Sequence, residues 1–446
     1  MEKDLQMARQ IAQCVAQAGG STYFVGGYVR DLVLKRDCKD IDLEIHGIAP
    51  ETLDEILREL GEPVTMGRSF GIMGLRHYGL DIAMPRKDGA GSRGLVNPFV
   101  GTRKAASRRD LTMNALMQDV LTGEIVDHFG GLYDLEKGII RHVDDVTFAE
   151  DPLRVLRAAQ FAARFGFEVA EETVALSKRL DLSALSAERV WGELEKALLK
   201  AERPSVFFEV LRRMGQLGSW FPEVEALIGV EQERAFHPEG DVWNHTMQVV
   251  DLAAKLRHQA VQPLAFMTAA LCHDMGKPMT TQVIDGRIRA LGHEEAGVSV
   301  ADTFLARMTK EVRLRKYVAN MVQLHMRPNI MAAQGSSVKS MCKMYDRSAC
   351  PEDLLLLAQA DCCSRPNAAA YDETKAFLEK NLTLYRERMA RPYVMGADLV
   401  EAGFEPGTDF KETLDYAHKL RLAGVEKGDA LRQSIAYIRK LQKTKN

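Results

Sequence analysis

Acidic side chains alternate with apolar ones in the short segment "KDIDLEIHG", and this spacing could bind a divalent cation. Asp40, Asp42 and Glu44 would share one face of a β-strand, because successive side chains of a strand point to opposite faces. Like charges this close raise each other's pKa unless a cation neutralises them. Two carboxylates one residue apart can both reach a Mg²⁺ ion. The segment predicts a magnesium site on Asp40 and Asp42, to which Asp81 in the strand-like "LDIAM" could add a third ligand.

Two glycines, Gly26 and Gly27, stand between an apolar run and a helix-like segment. Without a Cβ atom in the way, their backbone N–H groups can approach a triphosphate, and Arg30 can add positive charge there. A glycine pair alone is more often structural, and so is a D-x-D sequence. Their ordered combination indicates a nucleotide site.

A second group of candidate ligands is rich in histidine. Six of the eleven histidines lie between His237 and His325. Any one of them alone is more simply interpreted as a hydrogen-bonded helix residue. Together, imidazoles and carboxylates on helices can bind a divalent transition metal with open positions for water, and such sites activate water against phosphoesters. The candidate residues are His245, His273, Asp274, His293, His325 and Asp361.

The elements that must position these residues change character along the chain. Residues 1 to about 145 read as mixed α/β, and amphipathic helices with capping and proline signals follow from there to the C-terminus. A chain of 446 residues is expected to form two to four domains. We predict an α/β head at 1–145, a helical neck at 146–228, a histidine-rich helical domain at 229–366 and a helical tail at 367–446.

Composition says more about the cellular compartment of the protein than about its activity. A net charge of −3 argues against a uniformly basic surface, although a local basic face could still hold a nucleic acid. The seven cysteines form no C-x-x-C pair, which favours a reducing compartment. No apolar segment is long enough to cross a bilayer. We therefore predict a cytoplasmic protein without a membrane partner.

An ordered series of motifs carries a family resemblance. The segments "GGYVRD", "DID", "RRDLTMNAL", "DHFGGLYDLEKGIIRHV" and "EDPLRVLRAAQFAARFGF" together resemble the bacterial tRNA nucleotidyltransferases, the CCA-adding enzymes of the class shared with bacterial poly(A) polymerases. Further along, "HDMGKP" and "GHEEAG" resemble an HD phosphohydrolase domain. The resemblance implies a polymerase-β-like α/β nucleotidyltransferase head, an all-α neck, an HD body and a tail. It also implies addition of C, C and A to tRNA 3′ ends from CTP and ATP with Mg²⁺.

The motif "SRRDLTMNAL" has a structural and a functional interpretation. Ser107 or Asp110 could cap a helix whose apolar side chains face a core, but this leaves the paired arginines unexplained. By the resemblance, Arg109, Asp110 and Asn114 contact the ribose and phosphates of the incoming nucleotide. An Asp or Asn beside a 2′-hydroxyl is a sensible way to prefer ribonucleotides.

In the motif "EDPLR", Asp151 and Arg154 lie three residues apart at the start of a helix. On spacing alone they would be an ordinary surface ion pair. Cytosine and adenine, however, both carry an exocyclic amine where uracil and guanine carry a carbonyl, so a carboxylate that accepts from this amine admits C and A. The resemblance implies this template role for Asp151 and Arg154, with Arg157 assisting at a phosphate or base.

For the histidine-rich domain, the resemblance implies that His245, His273, Asp274 and Asp361 hold a metal, while His293 and His325 line the pocket or bind a second ion. We expect a transition metal such as Ni²⁺ or Mn²⁺ and phosphohydrolase activity. Alternative functions are CC-only, A-only or poly(A) addition, or a metal phosphohydrolase whose head only binds RNA. Partial addition stays open because basic residues precede the double arginine where relatives usually carry acidic ones. The sequence assigns no role to Glu44 and no oligomeric state.

Overall fold

The chain forms two compact units, Met1–Trp220 and Phe221–Asn446. A computed structural model describes residues 1–38, 40–66, 72–86, 96–235, 237–363 and 371–445. In the segment before the double arginine, residues 92–106, only 92–95 lie outside the described residues. The predicted domain boundaries at 145, 228 and 366 remain predictions.

The first unit begins as an α/β domain and continues as helices. Its strands are β1 Ser21–Val25, β2 Ile41–His46, β3 Pro63–Met66, β4 Ile72–Leu75, β5 Leu80–Ala83, β6 Met117–Asp119, β7 Ile125–Val126, β8 Ile139–Ile140 and β9 Glu168–Val169. Its helices are α1 Glu2–Gln17, α2 Gly27–Val33, α3 Pro50–Leu60, α4 Thr102–Ala106, α5 Gly131–Lys137, α6 Asp145–Ala149, α7 Leu153–Phe165, α8 Glu171–Ser177, α9 Ala187–Lys200, α10 Ser205–Arg213 and α11 Leu217–Trp220.

Seven strands form one mixed sheet in the order β3-β4-β5-β2-β1-β6-β7. Strands β2 and β5 run parallel at its centre, whereas β1 pairs antiparallel with β2 and with β6. On β2 the side chains of Ile41, Leu43 and Ile45 are fully buried, as the alternation of the sequence predicts. Burial of this apolar face fixes the register of β2 and thereby the position of its acidic residues.

The second unit is almost entirely helical. Its helices are α12 Pro222–Glu225, α13 Val242–Leu256, α14 Pro263–Cys272, α15 Lys277–Thr280, α16 His293–Met308, α17 Val312–Leu324, α18 Arg327–Ala333, α19 Val338–Arg347, α20 Pro351–Cys363, α21 Tyr371–Ala390, α22 Gly396–Glu401, α23 Thr408–Ala423 and α24 Lys427–Lys445. The α/β head followed by a helical chain confirms the predicted fold class.

Two short pieces of sheet depart from the expectation of helices alone. In the predicted neck, β9 pairs in parallel with β8. In the second unit, β10 Thr281–Ile284 and β11 Arg287–Ala290 form a hairpin. Its turn residues Asp285 and Gly286 both have positive φ, the conformation for which an Asp-Gly pair is favoured. The Asp-Gly dipeptide was therefore a sequence signal for this hairpin.

The sequence analysis made predictions about the cysteines and about membrane-spanning segments. All seven cysteines are free thiols. Among the described residues, no helix combines the length and apolar character that a membrane span requires.

Candidate nucleotide site and candidate metal centre

The acidic residues of the first unit meet where β2 and β5 lie side by side. Asp42 and Asp81 are direct partners in the parallel register, and Asp40 immediately precedes β2 with its side chain exposed. Burial is the main cause that raises the pKa of Asp42; Arg109 opposes the rise, and Asp81 and Asp40 add to it. Crowded carboxylates of this kind suit a hard divalent cation. Within the described residues, the groups whose ligand atoms all lie within 4.8 Å of one another occur around the histidines, not here.

Gly26 lies between the acidic residues and a guanidinium group. It has a φ of +64°, and a Cβ atom placed on it would lie 3.4 Å from Nη1 of Arg109 and 3.5 Å from Oδ2 of Asp42. A side chain here would therefore be strained and would crowd both groups. Gly26 is also the N-cap of α2, whose first-turn backbone N–H groups have no partner within the helix. A glycine at position 26 thus has a conformational and a steric reason.

Glu44, to which the sequence assigned no role, positions Arg109. Its Oε2 accepts a hydrogen bond of 3.0 Å from Nη2 of Arg109, and its Oε1 lies 2.9 Å from Nε2 of His46. Burial would raise the pKa of Glu44, but the hydrogen bond with His46 and the charge of Arg109 hold that pKa below its ordinary value. The ionised carboxylate therefore anchors Arg109 beside Asp42.

The "RRDLTMNAL" segment forms one 3₁₀ turn, Thr112–Asn114, rather than the capped helix of the structural interpretation. Asp110 is buried, and its Oδ1 accepts from the backbone N–H of Leu111 at 2.8 Å and from Nδ2 of Asn114 at 3.0 Å. Burial would raise the pKa of Asp110, but the charge of Arg157 and the bond from Asn114 lower it. Asn114 in turn accepts from Nη1 of Arg30 at 2.7 Å.

Arg30 is more enclosed than the sequence suggests. It is only 4% exposed, donates to Asp31 at 2.8 Å and lies over the rings of Phe161 and Phe165. Its charge is therefore already paired and its position fixed. A direct contact of Arg30 with phosphate stays a prediction.

The expected template residues lie at the start of α7, Asp151 just before the helix and Arg154 in its first turn, but they do not pair with each other. Asp151 accepts from Nη2 of Arg189 at 2.7 Å, whereas Arg154 donates to the carbonyl oxygens of Thr147 at 2.5 Å and Arg108 at 2.8 Å. Arg157 pairs with Asp110 at 2.7 Å. The interpretation of Asp151 and Arg154 as a surface ion pair with each other is therefore not what the structure shows.

The sequence analysis did not identify three residues that belong to this site. Arg189 comes from α9, 38 residues after its partner Asp151. Glu193, also on α9, is buried and lies 3.8 Å from Nη1 of Arg157. Phe161 lies under the guanidinium groups of Arg30 and Arg157. The four-residue spacing of Arg189 and Glu193 puts both on one face of a helix, a signal that gains meaning only with α7 as its neighbour.

One open cleft of about 510 Å³ joins these parts. We name it the catalytic cleft. Of the predicted residues, Asp40 and Asp81 are not among those that line it. Its lining includes Gly26, Gly27, Arg30, Asp42, Arg108, Arg109, Asp110, Asn114, Asp151, Arg154, Arg157, Phe161, Arg164 and Arg189.

The histidine cluster of the second unit is built around Asp274. Its Oδ1 lies 3.3 Å from Nε2 of His293 and 3.8 Å from Nε2 of His325. Its Oδ2 lies 3.2 Å from Nε2 of His273 and 3.6 Å from Nε2 of His245. Each carboxylate oxygen thus faces a different pair of imidazoles. All five side chains are buried, so the structure brings these predicted ligands together.

Asp361 lies beside the pair formed by His245 and His273. Its Oδ1 lies 3.1 Å from Nε2 of His245. The ligand atoms of His245, His273 and Asp361 all lie within 4.8 Å of one another, as do those of Asp274, His293 and His325.

Backbone carbonyls orient three of the imidazoles. The Nδ1 atoms of His273, His293 and His325 lie 2.7–2.8 Å from the carbonyl oxygen three residues earlier, so each donates Nδ1–H and turns its Nε2 towards Asp274. The Nε2 atoms of His293 and His325 also lie 3.3 Å from each other. Nε2 of His273 is buried without a hydrogen bond. A buried, unsatisfied nitrogen lone pair beside carboxylates is the arrangement that a metal ion completes, so the donor set fits a divalent transition metal.

The charge states of His325 and Asp274 agree with metal binding. Burial would lower the pKa of His245, but its hydrogen bonds with Asp361 and Glu239 raise that pKa. Burial, with the neighbouring His273, lowers the pKa of His325 to about 3, so this imidazole is neutral. Burial would raise the pKa of Asp274, but His273 and Lys277 hold it well below its ordinary value. Neutral imidazole and ionised carboxylate are the forms that bind metals.

A cleft of about 290 Å³ opens onto the cluster, and we name it the histidine cleft. It is lined by Thr281, Ile288 and Ala290 of the hairpin and by Asp274, His293 and Asp361 of the cluster. Lys277 also lines it, with Nζ 2.7 Å from Oδ2 of Asp274 and 2.7 Å from Oε1 of Gln232. The sequence analysis predicted neither the hairpin nor the position of Lys277 at this cleft.

Family models match most of the chain. A model described as "Poly A polymerase head domain" matches residues 22–141, and one described as "Probable RNA and SrmB- binding site of polymerase A" matches residues 166–228. A model described as "HD domain" matches residues 242–365. The catalytic cleft is lined largely by residues of the first match and of α7, and the histidine cluster lies within the last.

Curated relatives are similar over most of their length. The chain is 37% identical over 361 residues to a multifunctional CCA protein of Actinobacillus pleuropneumoniae, which covers 77% of this chain and 85% of the relative. It is 36% identical over 391 residues to a multifunctional CCA protein of Stenotrophomonas maltophilia, which covers 84% of this chain and 93% of the relative.

Solved structures share the fold at lower identity. The Bacillus stearothermophilus CCA-adding enzyme in complex with CTP superposes with a TM-score of 0.70 and 22% identity over 100% of both chains. The Thermotoga maritima CCA-adding enzyme complexed with tRNA superposes with a TM-score of 0.67 and 20% identity, covering 98% of this chain and 96% of the other.

Proposed function

The chain belongs to the family of the multifunctional CCA proteins, and we propose that it adds C, C and A to the 3′ ends of tRNA from CTP and ATP. One observation carries this proposal. The catalytic cleft is lined by the glycine pair and Asp42 of the head, by Asp151 just before α7 and by Arg154 in α7, which supports a phosphate site and a base-reading site in one space. A nucleotide bound there would be held at both ends.

The residues of the cleft take separate roles in this reaction. Asp42 and Asp81, with Asp40, would hold Mg²⁺, which when bound supplies Lewis-acid stabilisation of the phosphate charge. Gly26 and Gly27 let the triphosphate approach the backbone, and Arg109, anchored by Glu44, adds positive charge beside it. The tRNA 3′-oxygen then attacks the α-phosphorus in line, and pyrophosphate leaves.

Base selection would depend on the two helices α7 and α9. Asp151 accepts from the exocyclic amine of cytosine or adenine, and Arg154 donates to the adjacent ring nitrogen. In the structure, Arg189 from α9 occupies Oδ2 of Asp151. Arg189 therefore holds the carboxylate in place until a base amine shares or replaces that contact.

The proposal is tested with three tRNA transcripts, which end at the discriminator base, at C and at CC. Each transcript is incubated with purified protein, Mg²⁺ and one nucleoside triphosphate at a time. We expect CTP to extend the first two transcripts and ATP to extend only the third. Extension of all three by ATP would indicate poly(A) synthesis, and a single successful step would indicate CC-only or A-only addition. Absence of any incorporation would reject nucleotidyl transfer.

Asp151→Ala should relax the choice of base. Loss of the acceptor for the amine should reduce discrimination against UTP and GTP by about 1–3 kcal/mol, the value of a bidentate base contact. Arg189→Gln should reduce discrimination in the same direction but by less. The carboxylate of Asp151 is still present in this variant and loses only the contact that positions it. The measurement is kcat/KM for all four triphosphates on the transcript that ends at CC.

Arg179→Gln is the matched control for Arg189→Gln. Arg179 is exposed in the same unit and lines neither the catalytic cleft nor the histidine cleft. It should leave the four rates unchanged. An unaltered triphosphate preference in Asp151→Ala would remove the template role from this carboxylate.

The histidine cleft favours a second activity, the hydrolysis of small phosphate esters. Its volume is at the lower end of ligand pockets, which suits a small substrate rather than a polymer. A divalent transition metal, once bound by His245, His273, Asp274 and Asp361, supplies an activated water. Lys277 carries a positive charge on the wall of the cleft, where it can bind a substrate phosphate.

A further inference from the structure

Three arginines surround one aromatic ring at the end of α7. The guanidinium carbons of Arg36, Arg30 and Arg164 lie 4.7, 4.9 and 5.1 Å from the centroid of Phe165. Each cation is attracted by the ring. The cations also repel one another, because all three charges lie around the same side chain.

The negative charge near this cluster is insufficient to balance it. Arg30 is paired with Asp31 at 2.8 Å. Among the described residues, neither Arg36 nor Arg164 forms an ion pair with a carboxylate. Burial lowers the pKa of Arg164, and repulsion by Arg30 and Arg36 lowers it further, which Asp31 only partly offsets. A half-buried guanidinium without its own counter-ion is an arrangement that a bound anion would stabilise.

Arg36 and Arg164 line a second cleft of about 510 Å³, formed by the ends of α7 and α10 and the residues between α9 and α10. We name it the neck cleft. Its charged lining residues are Arg36, Arg164, Lys200, Arg203 and Arg213 against Glu168, Glu202 and Glu209, a cationic excess. Arg213 is paired with Glu171. Arg164 lines the catalytic cleft as well, so positive charge continues from one cleft into the other.

We propose that Arg36 and Arg164 bind phosphodiester groups of the RNA strand whose 3′ end lies in the catalytic cleft. This inference rests on the proposed function, since it names where the RNA substrate of that reaction contacts the first unit. Planar guanidinium groups bind phosphate oxygens through two parallel hydrogen bonds. Stacking on Phe165 holds both groups in place for this contact, so little side-chain freedom is lost on binding.

A strand of RNA fits the neck cleft better than the triphosphate of CTP or ATP. The triphosphate is bound with a divalent cation and therefore belongs beside Asp42 and the N-terminus of α2. The neck cleft, over its described lining, offers arginine and lysine side chains and neither the glycine pair nor the residues Asp42 and Asp81. Phosphodiesters of a single strand need only such cationic contacts.

The test measures RNA binding directly, with the double variant Arg36→Gln/Arg164→Gln. The probe is a fluorescently labelled tRNA transcript that lacks CCA, titrated at several NaCl concentrations. We expect the Kd to rise about tenfold and the slope of log K against log salt to fall by about 0.7 for each single-strand phosphate that the variant no longer neutralises. The KM for CTP should stay within about twofold of wild type in the single variant Arg36→Gln, since Arg36 does not line the catalytic cleft.

Three further variants make the result specific. Arg179→Gln removes one exposed charge from the same unit outside both clefts and should leave Kd and slope unchanged. Arg164→Lys keeps the charge and should retain most of the salt slope. If the double variant unfolds, Arg36→Gln alone tests the proposal, because Arg36 is exposed and its removal leaves no buried gap.

Two results would overturn the inference. A raised KM for CTP with unchanged RNA affinity would assign the arginines to the triphosphate. Unchanged RNA affinity and unchanged KM would reduce them to packing against Phe165. Binding is measured without catalysis, so a protein that needs these arginines for RNA but adds no nucleotide would contradict the proposed function and not this inference.

Discussion

Asp42→Asn should stop nucleotide addition while the first unit stays folded. The rate should fall by at least about 10²–10³-fold, the usual effect of removing one group that stabilises transition-state charge. Asp42 is the partially buried member of the acidic group, in register with Asp81 and adjacent to Gly26. The neutral amide keeps the shape of the side chain but cannot hold Mg²⁺ beside a triphosphate. Single-turnover incorporation of CTP measures the loss.

The stability of this variant is a second readout. Burial raises the folded-state pKa of Asp42 above its unfolded value, so its ionisation at neutral pH lowers the free energy of unfolding. In EDTA, the variant should therefore unfold at the same temperature as wild type or higher. Added Mg²⁺ should raise the unfolding temperature of wild type and change that of the variant much less.

Asp37→Asn is the matched control, because Asp37 is exposed in the same connection between α2 and β2. It should keep full activity and the response to Mg²⁺. Near wild-type incorporation by Asp42→Asn would exclude Asp42 as a metal ligand. A low unfolding temperature in EDTA would instead indicate a structural role.

Asp274→Asn should abolish hydrolysis of phosphate esters and leave nucleotide addition intact. Both oxygens of Asp274 face imidazole nitrogens, so the neutral amide removes the negative charge that lies beside the four histidines. Its effect on hydrolysis should again be about 10²–10³-fold or more. Suitable substrates are 2′,3′-cyclic nucleotides and p-nitrophenyl phosphate, assayed with Ni²⁺, Mn²⁺ and Mg²⁺ separately. Imidazole ligands favour the first two ions over Mg²⁺.

Metal content tests whether Asp274 is a metal ligand, independently of hydrolysis. Elemental analysis of wild-type protein loaded with Ni²⁺ should find bound metal that is absent from Asp274→Asn. If Asp274 bridges two ions, His325→Ala should lose only part of that metal, because His325 belongs to the group of Asp274 and His293. Asp302→Asn is the matched control, since Asp302 pairs with Arg315 on the surface of the same unit.

Nucleotide addition is the companion measurement for both variants. The motifs of the two sites lie in different compact units. Parallel loss of both activities by a folded Asp274→Asn protein would mean that the sites are not independent. Wild-type protein without hydrolysis under any of the three metals would leave the cluster as a structural metal site at most.

The sequence by itself determined the elements and motifs that depend on neighbouring residues. The alternation around Asp42 predicted a strand with one buried face, and β2 has that face. Amphipathic spacing predicted the helices from residue 146 onward. These predictions succeed because strand and helix periodicity are local properties of the chain. Motif order supplied the family for the same reason.

Only the tertiary structure decided which distant side chains meet. Glu44 acquires a role because Arg109, 65 residues later, packs beside it. Arg189 reaches Asp151 because α9 lies along α7. Arg30 is less free than expected because Asn114 and two phenylalanines enclose it. No local pattern encodes these contacts, since each depends on how separate elements pack.

The histidine cluster shows both halves of this division. The types and number of its ligands could be read from the sequence, because imidazole and carboxylate chemistry belongs to the residues themselves. That Asp274 turns one oxygen to each pair of histidines, and that a hairpin closes one side of the cleft, required the packing of α13, α14, α16, α17 and α20. Burial in that packing, rather than residue type, also holds His325 neutral and leaves Nε2 of His273 unsatisfied.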